Sequence, residues 1–107
     1  MVICLLACTL AVADHTNKPS SNWNELRAKN LKLGFTNERV DQTLAVCRKS
    51  ELSVMETEDL LCPVYTAQAE GLPTDCIFLR IEEGMAKRIP AAQVRTAAES
   101  RLDCLRR

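Results

Sequence analysis

The sequence predicts an all-α fold, about five short helices arranged as a duplicated helical hairpin, and three observations predict it. Aromatic residues are scarce (Trp23, Phe35, Tyr65, Phe78) while Ala and Leu are abundant, a balance that suits helix packing and not a β-sandwich. A short helix-start phrase occurs four times, and residues 34–70 and 71–107 align at a period of 37 residues (71 − 34). At 107 residues, 47% apolar and 26% charged, the chain suits one domain with one modest core.

Met1 to Ala13 carries no charge and closes on Ala11-Val12-Ala13, a small-x-small cleavage pattern, so residues 1–13 read as a signal peptide. Alternatively, Leu5-Leu6-Ala7-Cys8 resembles a bacterial lipobox, in which Cys8 is lipidated and becomes the mature N-terminus. No Lys or Arg precedes the run, and an ordinary buried N-terminal helix is the third reading. A membrane span needs about 20 apolar residues, which excludes one at 1–13. Residues 14–22 are polar and turn-rich, a flexible leader, and the helical domain is expected over 23–107.

Asn22 with Glu25 three residues later makes a capping box for a first helix over about 23–33, with Trp23, Leu26 and Leu33 facing inward and Gly34 as the stop. The recurring phrase then sets each later start: an apolar residue, a cap-forming or turn-forming residue, and an apolar residue four positions on. It reads Phe35-Thr36 to Val40, Leu52-Ser53 to Thr57, Leu72-Pro73 to Ile77 and Ile89-Pro90 to Val94, with Thr57 the one polar exception. Thr and Ser accept backbone N–H bonds at an N-cap, Pro is preset for a first helical turn, and the leading apolar residue can staple onto the fourth helical position. The preceding residues Gly34, Glu51, Gly71 and Arg88 are spaced 17, 20 and 17 apart. Superposing the repeats pairs Gly34 with Gly71, Phe35 with Leu72, Val40 with Ile77, Leu44 with Ile81, Leu52 with Ile89 and Tyr65 with Leu102, the positions that periodicity assigns to buried faces. The remaining helices are expected at 37–49, 54–70, 74–87 and 91–105. Pro63 lies inside the third, where its missing donor and its clash with the Asp59 carbonyl predict a kink near Leu60 to Pro63.

Fourteen bases balance fourteen acids, so no global field draws in nucleic acid or an anionic membrane. The charges are segregated: residues 16–49 hold seven bases and three acids, 50–79 six acids and no base, and 80–107 seven bases and four acids. Attraction between neighbouring helices through solvated faces, at most about 1 kcal/mol per contact, is one reading and an electrostatic docking surface is the other.

Cys4 and Cys8 fall in the signal region, leaving Cys47, Cys62, Cys76 and Cys104, an even number suited to an exported domain. No C-x-x-C spacing points to zinc or redox chemistry, and the only histidine, His15, stands in the leader. About a hairpin centred near residue 89, Cys76 and Cys104 sit thirteen and fifteen positions away, which levels them to about 3 Å and makes them the favoured disulfide; Cys47 with Cys62 is the leftover pair. Free buried thiols are the alternative.

Gly71-Leu72-Pro73 and the run Arg80-Ile81-Glu82-Glu83-Gly84-Met85-Ala86-Lys87-Arg88-Ile89-Pro90 resemble uncharacterised exported bacterial helical-repeat proteins with a G-L-P, E-G-x-A-K-G-[VI]-P signature. The likeness covers about residues 64–105, with Arg80 in place of Lys and Arg88 in place of Gly. It implies an envelope or secreted helical module and no reaction.

Gly84 in mid-helix costs about 1 kcal/mol relative to Ala, tolerable where a neighbouring helix or a partner approaches closely. Lys87, at the helix end, complements the dipole and can cap open carbonyls. Glu82 and Glu83 point about 100° apart and form no convergent acid/base pair. With no glycine-rich phosphate loop, no nucleophile beside a base and no metal cluster, the expectation is a non-enzymatic interaction module of the bacterial cell envelope, without cofactor or nucleic acid, bound to membrane only through a lipid on Cys8. The alternative is a small-molecule binder with an apolar groove between hairpins lined by Met85, Phe78 and Tyr65.

Overall fold

The computed structural model describes residues 19–107, and those residues fold into six helices and no strand: α1 Trp23–Lys32, α2 Asn37–Lys49, α3 Val54–Leu60, α4 Cys62–Ala69, α5 Asp75–Ala86 and α6 Ala91–Arg106. The signal and lipidation readings at 1–13, with Cys4 and Cys8, and His15 lie outside the described residues. The expected third helix is two, because Pro63 has no N–H to carry the ladder through. Leu61, at φ −85° and ψ −4°, closes α3, and Pro63 falls in the first turn of α4, where a missing donor costs nothing.

Four helices end on the same corner. Gly34, Glu51, Gly71 and Arg88 all take positive φ, at 103°, 65°, 73° and 61°. In each corner the next residue donates its N–H five residues back: Phe35 to Asn30 O (3.4 Å), Leu52 to Cys47 O (3.1 Å), Leu72 to Ala67 O (2.9 Å) and Ile89 to Gly84 O (3.0 Å). This is the Schellman stop, which satisfies a helix-end carbonyl and turns the chain back on itself. Asn30, Cys47, Ala67 and Gly84, whose carbonyls close the corners, are all small or medium in size and all buried. Ten residues past each, Val40, Thr57, Ile77 and Val94 are sealed in the core. Glu51 and Arg88 hold a left-handed backbone that a Cβ makes unfavourable by about 1–2 kcal/mol, so the hydrogen-bonded corner and the buried residue beyond it, Thr57 or Val94, enforce a conformation that the local residue resists.

Thr36 accepts from Arg39 N, Asn22 accepts from Glu25 N, and Ser53 with Glu56 forms the complete reciprocal box. Pro73 and Pro90 both stand just outside their helices, as the expected starts at 74 and 91 imply. Pro90 is the N-cap of α6 and not its first helical residue, while Pro73 precedes the cap Thr74, whose carbonyl takes both Ile77 N and Phe78 N.

The two repeats share corners but differ in packing. Helix α5 lies extensively against α6, whereas α2 rests on α1 and α5, and α3 and α4 rest on α6. The residues at the crossing explain the difference. A Cβ on Gly84 would lie 2.7 Å from Val94 Cγ2, so only glycine permits this approach of α5 to α6. The repeat places Cys47 and Thr57 at the matching positions, where both helices carry a side chain and no glycine lets Thr57 in as Gly84 admits Val94. Phe35 meets Phe78 edge to face, with centroids 4.9 Å apart, joining the two halves at the centre.

Neither expected disulfide is present: Cys47, Cys62, Cys76 and Cys104 are all free thiols. Level-matching along a hairpin says nothing of rotation about the helix axis. Val94, Ala98 and Leu102 form the buried stripe of α6, and Cys104, two residues past Leu102 and so about 200° round the helix, points to solvent. Cys76 instead packs half-buried against the core. Cys47 is sealed beside Thr57, with burial pushing its thiol up to about 11 and the Thr57 hydroxyl pulling the other way, whereas Cys62 donates to Glu58 O at 3.6 Å.

Relieving the strained corners should stabilise the fold. Arg88→Gly and Glu51→Gly should each raise the thermal midpoint, by about 1 kcal/mol of stability, while Gly71→Ala, whose new Cβ would meet nothing within 4 Å, should lower it through backbone strain alone. Thermal unfolding followed by circular dichroism measures all three.

Candidate functional site: a groove floored by Tyr65

Near the break at Leu61 a groove of about 440 Å³ opens where Pro19, Lys29, Met55, Glu58, Cys62 and Tyr65 meet, with Glu56 and Asp59 also on its wall. Cys62 and Tyr65 stand three apart and so share a face of α4. Lys29 comes from α1 and Met55 and Glu58 from α3, so three helices build the site.

A polar chain runs through it. Asn30, buried on the inward stripe of α1, donates its Nδ2 to Leu26 O at 2.8 Å and to the Tyr65 hydroxyl at 3.0 Å. Burial holds the Tyr65 phenol well above its ordinary range, opposed by the Asn30 bond and reinforced by the nearby Glu58 charge. Lys29 forms an ion pair with Glu58 and lies 5.5 Å over the Tyr65 ring. Only 13% and 12% of the Lys29 and Glu58 side chains are exposed, so the pair is largely withdrawn from water and depends on its additional hydrogen bonds. Ser20 supplies two of these, its N–H at 2.9 Å and its hydroxyl at 3.4 Å from Glu58, which ties the described end of the leader to α3.

Chemically the groove holds a neutral phenol, a satisfied ion pair and a thiol. Burial raises the Cys62 thiol above its ordinary value, with Arg95 pulling it down and Asp59 and Glu58 pushing it up, whereas a nucleophilic cysteine needs the opposite shift. Among the described residues no group of three His, Cys, Asp or Glu could hold a metal ion, and no helix is long and apolar enough to cross a membrane. At the lip stands Met55, 75% exposed and the most exposed large apolar side chain described.

Of the three side chains expected to line an apolar groove, Tyr65 lines this one and the edge of Phe78 lines a separate crevice of about 340 Å³ beside Phe35, Thr36 and Arg39, whereas Met85 lines neither. Met85 and Phe78 are buried in the core, because Phe78 faces Phe35 and Met85 follows Gly84 onto the seam with α6. Gly84 is a packing position against Val94. Lys87 is the C-cap residue of α5, its N–H on Glu83 O and its ammonium 3.1 Å from the Glu83 carboxylate. Glu82 turns inward to Arg39 (2.9 Å) and the buried Thr43 hydroxyl (2.7 Å), and so parts from Glu83 as the helix geometry requires. Sequence reasoning missed Lys29, Asn30 and Glu58. Asn30 carried a readable signal, since a polar residue four positions after Leu26 interrupts the inward stripe of α1.

The Gly84 contact should show in a double-mutant cycle. Gly84→Ala should destabilise the protein despite alanine's better helix propensity, and should cost at least about 1 kcal/mol less in a Val94→Ala background, where the clashing methyls are gone. Urea denaturation of the four proteins measures the coupling.

Comparison with protein families, curated proteins and solved structures finds no significant match to this chain.

Proposed function

We propose that the chain is a non-enzymatic helical interaction module of the bacterial cell envelope, which seats an apolar side chain of a protein partner in the Tyr65 groove. One observation carries the reading: the groove's inner polar groups bond one another, Asn30 to Tyr65 and Lys29 and Ser20 to Glu58, while Glu56 and Asp59 on its wall are taken by the Ser53 N–H and Arg95, so the apolar area left for a partner is the Tyr65 ring, the Pro19 edge and the protruding Met55. A flexible thioether at the lip suits an adaptable protein contact. A small-molecule site is normally more enclosed and offers convergent unsatisfied polar groups. Placement in the envelope rests on the uncharged apolar stretch 1–13, its small-x-small end, and the Leu5-Leu6-Ala7-Cys8 run.

Two measurements test this. A photo-crosslinking amino acid at Met55, in cells that make the full chain, should give a discrete protein adduct that the same probe at the exposed Thr96 does not give. Equal labelling at both positions, or none, would overturn the docking reading, and a small molecule retained in native mass spectrometry would favour the ligand reading. Intact mass of the mature protein tests export: a diacylglyceryl adduct on Cys8 means an anchored lipoprotein, a start at Asp14 means soluble secretion, and an uncleaved Met1 contradicts export.

A further inference from the structure

The close approach of Gly84 to Val94 fixes α5 and α6 side by side, and on their outer side two crevices of about 150 and 380 Å³ open along the seam, sharing Arg80 and Ala97 as lining. The seam is cationic. Lys87, Arg80 and Arg101 line it against one carboxylate, Glu83, an excess of two positive charges (3 − 1). Glu83 already accepts from Lys87 at 3.1 Å and feels Arg80 as a further attraction that lowers its pKa, while Arg101 has no ion pair among the described residues. Four arginines elsewhere bridge helices through a carboxylate, Arg27 on Asp41, Arg39 on Glu82, Arg95 on Asp59 and Arg106 on Glu70, whereas Arg80 and Arg101 converge on one crevice without such a bridge among the described residues.

We propose that this seam is a docking surface for a short acidic segment of a protein partner. Guanidinium groups take carboxylates in bidentate fashion, and Arg80 and Arg101 offer two on one groove. From Gln93 to Cys104, the α6 side of the seam is about 16 Å long at 1.5 Å per residue, the span of about five residues of extended peptide. Ala97 and Ser100, which line it between the two arginines, are small enough to let a backbone approach closely. The cations are recessed, with Arg80 and Arg101 both half-buried along a concave seam, and this favours an inserted chain over the flat surface of a bilayer. The surface lies on α5 and α6 and stands independently of the Tyr65 groove.

The test is fluorescence anisotropy of a labelled short Glu/Ala peptide titrated with the full chain at low salt, with phosphatidylglycerol vesicle sedimentation as the second arm. Saturable peptide binding is expected, weakened about tenfold by Arg80→Gln with Arg101→Gln and about threefold by Arg101→Gln alone. Lys32→Gln with Lys49→Gln, which removes the same charge elsewhere, should change it by less than about twofold. Circular dichroism checks folding, and if the double variant loses helicity, Arg101→Gln decides. Absent saturable binding, equal weakening by the two charge-matched pairs, or sedimentation with vesicles without peptide binding would each overturn the proposal.

Discussion

The structure depends on a backbone constraint repeated four times: a helix that ends on a left-handed residue turns the chain so that Val40, Thr57, Ile77 or Val94 in the next helix is sealed in the core, although Ile89, expected to be buried beside the last corner, is exposed. At 34, 51, 71 and 88 the same turn brings an i to i−5 hydrogen bond onto a buried residue and starts the next helix within a few residues. The short connections leave little freedom in how successive helices pack, and a domain with few aromatics is held by close contact of small and aliphatic residues. Where the constraint meets glycine it costs little. At Glu51 and Arg88 the fold overrides local preference, which shows that the corner is imposed by what lies on either side of it.

The segregated charges are the electrostatic counterpart of that folding pattern. The acids of 50–79 do not form a field of their own, because chain reversal brings them to bases from both flanks: Glu58 to Lys29, Asp75 to Arg39, Asp59 to Arg95 and Glu70 to Arg106. Most of these pairs are solvated and each contributes little alone, but like charges at the same places would oppose the packing. On the α5–α6 seam Arg80 and Arg101 stand without such a bridge among the described residues, whereas in the Tyr65 groove Lys29 is held by Glu58. The two surfaces therefore offer different things to a partner, positive charge on one and apolar area on the other.

Much of the fold was legible because its signals are local. Capping at Thr36 and Ser53, the stops at Gly34 and Gly71, an irregularity near Pro63, expected as a kink and found as a break, and the buried set Val40, Ile77 and Val94 all follow from residues within one helical turn or from simple periodicity. What was not legible depends on rotation and distance between helices. Cys76 and Cys104 match in level and not in azimuth, and Phe78 and Met85 are core because of elements far away in the chain. The Lys29, Glu58 and Tyr65 cluster joins three helices, so no spacing in the sequence announces it. The divergence of the repeats was written at the paired positions Cys47 and Gly84, yet its consequence emerges only when Val94 is seen to occupy the space that a Cβ would need.

The four corners are hydrogen-bonded parts of the native structure and not loose connections. Native-state hydrogen exchange at the amides of Phe35, Leu52, Leu72 and Ile89 tests it most directly. Protection of all four, comparable with that of the flanking helices, is the predicted result; exchange at the rate of open loop amides, above all at Leu52 and Ile89 behind the non-glycine corners, would contradict it.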